Sequence, residues 1–256
     1  HLSDGSTQPA FTIPYPVNRL EKLSDTLYLV NADVDLNRDE TMTEAELKAE
    51  ADYIEIGELP FWDNGVGYVS GHRDTLFLYN SADGSIQPIT EKHLSVGSVA
   101  VSGDGQSIYF TGYHYTQAKY DKFGLYHFSV PKQKLTEVVP QDTMRFGQLK
   151  FVGDQLFAAA SYCDKLGGTE KNDWYILTPT GLVKLLDNDY TIGCNISTDC
   201  RYGRSLALDV YQGGLLYLST YGKICSPKLL HGDGSLTAPF EFDGAVDGIA
   251  VQGEKI

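Results

Sequence analysis

"VGSVAVSGDGQSIYFTG" (residues 96–112), followed by "GLYHFSVPKQKLTEVV" (124–139), decides the fold. In the first segment apolar residues alternate on both sides of a Ser-Gly-Asp-Gly turn, the pattern of a half-buried hairpin whose loop needs φ > 0. The second segment is again strand, turn, strand. The same pair recurs along the chain about every 50 residues, the period of propeller blades. Inner hairpins read "VNRLEKLSDTLYLVN" (17–31), "FGQLKFVGDQLFAAAS" (146–161) and "LALDVYQGGLLYLST" (206–220). Outer hairpins read "TLFLYNSADGSIQPIT" (75–90), "DWYILTPTGLVKLL" (173–186) and "PKLLHGDGSLTAPF" (227–240). One inner and one outer hairpin make a four-stranded sheet, and such sheets bury their faces only against one another. The expectation is an all-β propeller, with blade hairpins over 17–90, 96–139, 146–186 and 206–240 in one domain spanning 1–256.

The ends extend the pattern to about five blades' worth of chain. "DGIAVQGEKI" (247–256) reads as an inner hairpin cut off in its second strand, and "HLSDGSTQPAFTI" (1–13) matches the outer hairpin "LLHGDGSLTAPFEF" (229–242). Either the two ends share one composite blade, which would protect exposed strand edges, or the chain is a piece of a longer propeller.

Composition narrows the partners. The net charge of −14 argues against the nucleic-acid backbone and against anionic membrane surfaces, both of which need clustered Lys and Arg. No stretch of about 18 consecutive apolar residues is present, so no transmembrane helix is expected. Cys163, Cys194, Cys200 and Cys225 show no zinc-ligand pairing. Cys194 and Cys200 read either as free thiols of a cytoplasmic protein or as a loop-closing disulfide. Asn195-Ile196-Ser197 fits a glycosylation sequon.

Repetition breaks between residues 33 and 75, where the first blade carries a long insertion, and insertions in repeat proteins tend to carry function. Thr43 followed by Glu46 is a capping box that predicts a short helix over roughly 44–51, within 43–52. Asp35, Asn37, Asp39, Thr41 and Glu46 fall at the alternating spacing of a calcium loop, with Met42 at its apolar position. Glu40, however, stands where the sharp turn asks for glycine, and an acidic turn feeding a capped helix accounts for the same residues. No metal or other cofactor is therefore expected. Further on, "IEIGELPFWDNGVGY" (54–68) places Glu55 and Glu58 beside Phe61 and Trp62. Carboxylates next to an aromatic platform suit an ammonium group of a substrate through charge-assisted hydrogen bonds and cation–π contact. An extended strand with Trp62 packed as a blade anchor explains the same alternation.

From Glu58 to Gly112, "ELPFWDNGVGYVSGHRDTLFLYNSADGSIQPIT" with "SVGSVAVSGDGQSIYFTG" resembles the propeller of bacterial peptidases of the prolyl oligopeptidase family, in particular the acylaminoacyl-peptidase-like branch. An NG.G segment, a basic stretch, a LY.Y…TG hairpin and an SPDG-type turn recur there, although Gly103 stands where that turn often has proline. The propeller of that family has seven or eight blades, so the resemblance implies a partial propeller from a serine peptidase. Its partners would be a peptide substrate and an α/β-hydrolase domain of the same parent, for which the propeller serves as gate and docking surface. The resemblance also implies that acidic residues of the propeller, Glu55 and Glu58 by position, bind the amino terminus of the substrate, although Ile56 and Gly57 intervene where the double-glutamate signature is contiguous. The catalytic machinery itself is not in this sequence. Acyl transfer of that kind needs a GxSxG elbow, a histidine base and an orienting acid. The closest string, around Ser205, has Ala207 where the second glycine belongs, and the six histidines (His1, His72, His93, His114, His127 and His231) fall singly in turns or strand edges. The chain alone is expected to be inert. A rival expectation is a non-catalytic scaffold that binds a protein or glycan through Tyr113, Tyr115 and Tyr120.

Overall fold

The structure is a computed structural model that describes residues 10–38, 41–49, 56–196, 208–241 and 243–256. Blade one begins with β1 (Val17–Lys22) and β2 (Leu27–Asp35). The insertion follows, with a helix α1 (Glu44–Ala49) and a small hairpin β3 (Trp62–Asp63) and β4 (Gly67–Tyr68). The blade resumes with β5 (His72–Asn80) and β6 (Ile86–Pro88), giving an antiparallel four-stranded sheet in the order β1-β2-β5-β6.

Blade two comprises β7 (Leu94–Val101), β8 (Ser107–His114), β9 (Phe123–Ser129) and the first part of β10 (Lys134–Val152). β10 is shared. Its residues 134–139 pair with β9, while 145–152 pair with β11 (Gln155–Ser161), so one strand serves as the outer edge of blade two and the inner strand of blade three. Blade three is completed by β12 (Asp173–Thr178) and β13 (Gly181–Leu186). In blade four the innermost position is split between β14 (Thr191–Ile192) and β15 (Leu208–Tyr211), both on the same edge of β16 (Gly214–Tyr221). β17 (Ile224–Leu230) and β18 (Leu236–Thr237) finish it.

The core lies between blades, which is what makes this a propeller rather than a set of separate sheets. Leu29, Leu76 and Leu78 of blade one meet Val96, Ile108, Phe110 and Phe128 of blade two. Ala100 and Leu125 meet Met144, Phe146 and Leu156 of blade three. Phe157 and Trp174 meet Leu215, Tyr217 and Leu230 of blade four. The strand pleat sends neighbouring residues to opposite faces, so in β11 Ala158 and Ala160 face blade two while Phe157 and Ala159 face blade four. The outward faces of the first and last blades are covered by flanking chain. Phe11, Ile13 and Tyr15 pack on Val30, Ala32, Phe77 and Tyr79, and Val246, Ile249 and Val251 pack on Leu216, Leu218 and Leu229. Among the described residues, 247–256 carry a single bridge, Gln252 with Lys255, rather than a strand pair; of residues 1–13, the other half of the expected composite blade, 1–9 lie outside the described residues.

Blade contact reaches the backbone at Gly105. Its φ is +69°, and a Cβ there would stand 2.5 Å from the carbonyl oxygen of Leu23 in blade one, so only glycine fits. The helix forms as its capping box predicts: Glu46 N–H donates to Thr43 Oγ1 at 3.3 Å, and Thr43 N–H donates back to Glu46 Oε2 at 2.8 Å.

Candidate functional site

The second half of the insertion, from Ile56 to Gly71, projects as a tongue across the end of blades one and two. Its tip is the β3–β4 hairpin, whose loop is Asn64-Gly65-Val66, with Gly65 at φ +86°. Its base is fastened twice. Leu59 N–H donates to Gln117 O (2.7 Å) and Leu59 O accepts from Lys119 N–H (2.8 Å), which ties the tongue to the long loop of blade two. Glu58 takes the second fastening: Oε1 and Oε2 accept from Arg73 Nη2 (2.5 Å) and Nη1 (3.0 Å), and Oε2 also accepts from Gly71 N–H (2.9 Å).

Arg73 is fully buried, and its charge is satisfied on every side. Besides Glu58 it donates to His72 O and Tyr115 O, both at 2.9 Å, and more weakly to His93 O, while its guanidinium lies 3.7 Å from the centre of the Tyr115 ring. These Arg73 hydrogen bonds, the backbone N–H of Gly71 and the nearby positive charge hold the Glu58 carboxyl below the usual carboxylate range, against the opposing effect of burial. The pair is a bidentate latch joining blade one, the tongue and blade two.

Beneath the tongue is a cavity of about 500 Å³ between blades one and two. Asp33, Asp74 and Asn18 line it from blade one, Pro60, Asp63 and Tyr68 from the tongue, and Ser95, Tyr115 and Lys119 from blade two. Asp33 and Asp74 are register partners, placed directly opposite one another on β2 and β5. Asp33 Oδ2 is 2.8 Å from His72 Nδ1, and Asp74 Oδ1 accepts from Asn18 Nδ2 at 2.7 Å. Burial raises the Asp74 carboxyl, with the Asn18 hydrogen bond opposing and Asp33 adding to the rise. Burial lowers the Lys119 ammonium, with Asp74 acting against it. A second cavity, of about 550 Å³, runs along the axis and is lined by Arg19 and Glu21 of β1, Val99 of β7, Gln148 and Lys150 of β10, and Leu208 and Val210 of β15.

The residues singled out by sequence separate here. Glu58 is committed to Arg73, so its carboxylate already faces a cation of this chain, and Glu55 lies outside the described residues. Trp62 is 51% exposed with its ring edge-on to Tyr68 at 5.1 Å, so it is not a packed blade anchor; the tryptophan that serves as one is Trp174, fully buried. Tyr113 and Tyr115 are buried and leave only Tyr120 exposed, which removes the expected three-tyrosine surface. Asp35 Oδ1 accepts from Asn37 N–H at 2.9 Å, Asn37 Nδ2 donates to Ser70 O, and Glu46 caps the helix; Asp39 lies outside the described residues. Among the described residues no group of three or more His, Cys, Asp or Glu is placed to hold a metal ion. Cys194 and Cys225 belong to the apolar cluster of blade four, and Cys200, with the expected pairing, lies outside the described residues. No helix among the described residues is long and apolar enough to cross a membrane. Sequence reasoning missed Arg73, Asp74 and Lys119. The signal was the strand pairing, which sets the charged "HRD" start of β5 against "DVD" at the end of β2.

No protein-family model matches the chain, and no curated protein does. Solved structures do. The acylaminoacyl peptidase of Pyrococcus horikoshii superposes with a TM-score of 0.64 at 13% identity, over 92% of this chain and 34% of that one. A structure from a study of two prolyl endopeptidases gives 0.53 at 14% identity, over 93% and 29%. Dipeptidyl peptidase 4 of Porphyromonas gingivalis gives 0.52 at 11% identity, over 92% and 32%. The chain thus spans about a third of the length of the peptidases it matches. These neighbours are the acylaminoacyl and prolyl oligopeptidases to which residues 58–112 bear their resemblance, and the likeness is one of fold, the propeller.

Proposed function

We propose that this chain is the propeller portion of a serine peptidase of the prolyl oligopeptidase family, and that peptides dock on its tongue-bearing end before reaching an α/β-hydrolase domain of the same parent. The observation that carries this reading is the superposition of 92% of the chain on 34% of a peptidase, together with a sequence that contains no nucleophile elbow of its own. In this arrangement the division of labour within the tongue follows from exposure. Trp62 and Tyr68 offer aromatic surface to an incoming peptide, and Glu58 positions that surface through Arg73. Positioning of this kind matters because a site held loosely loses the benefit of preorganisation.

The test is covalent labelling with a fluorophosphonate of the protein expressed from the complete reading frame that contains these residues. The expected result is a single labelled serine outside the 256 residues, with labelling blocked by short peptides. No labelling, or a labelled serine within this chain, overturns the proposal.

A further inference from the structure

The tongue-bearing end carries a further cavity, of about 290 Å³, between blades three and four. It lies where blade three has its counterpart of the tongue, the connection from β11 to β12. Arg145 and Gly147 of β10 form one wall, Thr169, Lys171 and Asn172 of that connection another, and Thr191 of β14 a third. Both cations are met by neutral groups. Arg145 donates to the carbonyl oxygens of Gly168 and Glu170 and to Asn172 Oδ1 (3.3 Å), and Lys171 Nζ donates to Thr191 Oγ1 at 2.8 Å. Among the described residues neither forms an ion pair, in a chain whose net charge is −14. Glu170 is the one carboxylate of the lining, and it is already engaged: Oε1 accepts from Ser161 Oγ at 2.6 Å, and Oε2 accepts from the N–H groups of Lys165 (2.8 Å) and Leu166 (3.2 Å).

Donors are left over. Three hydrogen bonds do not exhaust a guanidinium, and one does not exhaust an ammonium. Because Arg145 can only donate, Asn172 turns Oδ1 toward it, and the Nδ2 group then has no partner among the described residues. That amide nitrogen stands over Gly147, where a Cβ would come within 2.7 Å of it, so glycine keeps the space open. Two cations and an unused amide around one cavity, with no free carboxylate among them, make a site short of acceptors. At the rim Tyr190 is exposed, with its ring edge-on to the exposed Tyr221 at 4.9 Å.

We propose that this cavity binds a carboxylate of the docked peptide, held between Arg145, Lys171 and Asn172, with the neighbouring peptide residue against Tyr190. The proposal rests on the peptide-docking reading above and narrows it to a chemical class. The carboxylate is the carboxyl terminus of the peptide or the side chain of an Asp or Glu, two sources of the same group. A carboxylate suits the cavity better than a peptide carbonyl, because its two oxygens can take N–H groups from a guanidinium and an ammonium at once and its charge is the one the lining lacks.

The experiment uses the 256-residue chain and four short apolar peptides with a fluorophore on the amino terminus: one with a free carboxyl terminus, the same peptide as its carboxamide, and two further carboxamides with Glu or Gln at the penultimate position. Binding is followed by fluorescence anisotropy. The expected result is that the free-carboxylate peptide, the Glu peptide or both bind about tenfold or more tightly than the neutral counterpart, and which of them gains identifies the source. Lys171→Gln, at an exposed position, is expected to keep the wild-type melting temperature and to cut that advantage about threefold or more. Equal binding of both carboxylate peptides and their neutral counterparts, or an advantage untouched in a folded Lys171→Gln variant, overturns the proposal and leaves the docking reading in place. Failure of all four peptides to bind overturns both.

Discussion

The two ends of the propeller are built from the same strands but are finished in opposite ways. At one end the hairpin turns are short and polar, and they repeat one local device: Asp83, Asp104 and Asp233 each accept from the backbone N–H two residues on, and each accepts a serine hydroxyl, from Ser85, Ser102 and Ser235. Those hydrogen bonds hold all three carboxyls below the usual range. At the other end the connections between second and third strands are long or exposed, and they carry Trp62, Tyr68, Tyr120, Tyr162 and Tyr221, all of them exposed. The first end is satisfied within four or five residues of sequence. The second is satisfied over longer stretches of chain, within one connection where Glu170 accepts from Ser161 and from the Lys165 and Leu166 N–H groups, and between blades where the tongue meets blade two, and the surface left over is aromatic. The lesson is that turn chemistry and docking surface are segregated, so damage to one end should be felt as stability and damage to the other as binding.

The sharpest way to break that contrast is at Arg73, which belongs to the aromatic end yet is fully buried. Replacing Arg73 by alanine strands the Glu58 carboxylate and should cost about 3–5 kcal/mol in urea unfolding. A loss under about 1 kcal/mol would mean the latch is ornamental and the tongue is held by its backbone bonds alone. The same pair predicts a pH dependence. The Glu58 carboxyl is lowered in the folded state, so its contribution is present above the unfolded value of about 4.3 and is lost as the pH falls through the lower folded value. The melting temperatures of wild type and Glu58→Gln should therefore differ at pH 7 and converge below about pH 4; a gap that persists at low pH would show that the difference is not electrostatic.

Next in size is Gly105, in the short-turn end. Gly105→Ala places a Cβ in the left-handed region and against the Leu23 carbonyl, and is expected to cost about 1–3 kcal/mol, measured by the same unfolding curves. A neutral result would show that blades one and two can separate at this turn. Smallest on stability is Trp62→Ala, at the exposed tip, where a change within about 0.5 kcal/mol is expected. Its effect on peptide affinity should nonetheless exceed that of any turn substitution at the opposite end. If Asp104→Ala weakened peptide binding as much as Trp62→Ala did, the segregation of the two ends would be wrong.

The blade repeat was legible because each hairpin states its own turn. "SGDGQS", "SADGS" and "HGDGS" fold by local hydrogen bonds that need no knowledge of the rest of the chain. The capping box at Thr43 was legible for the same reason. The half-buried alternation expected of inner hairpins failed in β16, which is buried along almost its whole length. A strand in the middle of a blade has a neighbouring blade on each face, and "GLLYLSTY" records that only as a continuous apolar run. Glu58 was noticed for its neighbours in sequence, whereas its partner Arg73 was not, because it stands fifteen positions further along, across the tongue.

Local pattern, then, was enough to establish the strands, their turns and the radial arrangement, since period-two alternation and Asp-Gly turns act over distances the chain itself spans. Only the packed molecule decided which charges meet. Arg73 on Glu58, Asp33 beside Asp74, and Lys119 beneath the tongue are all juxtapositions of residues far apart in sequence, brought together by strand register and by the burial of one blade against the next.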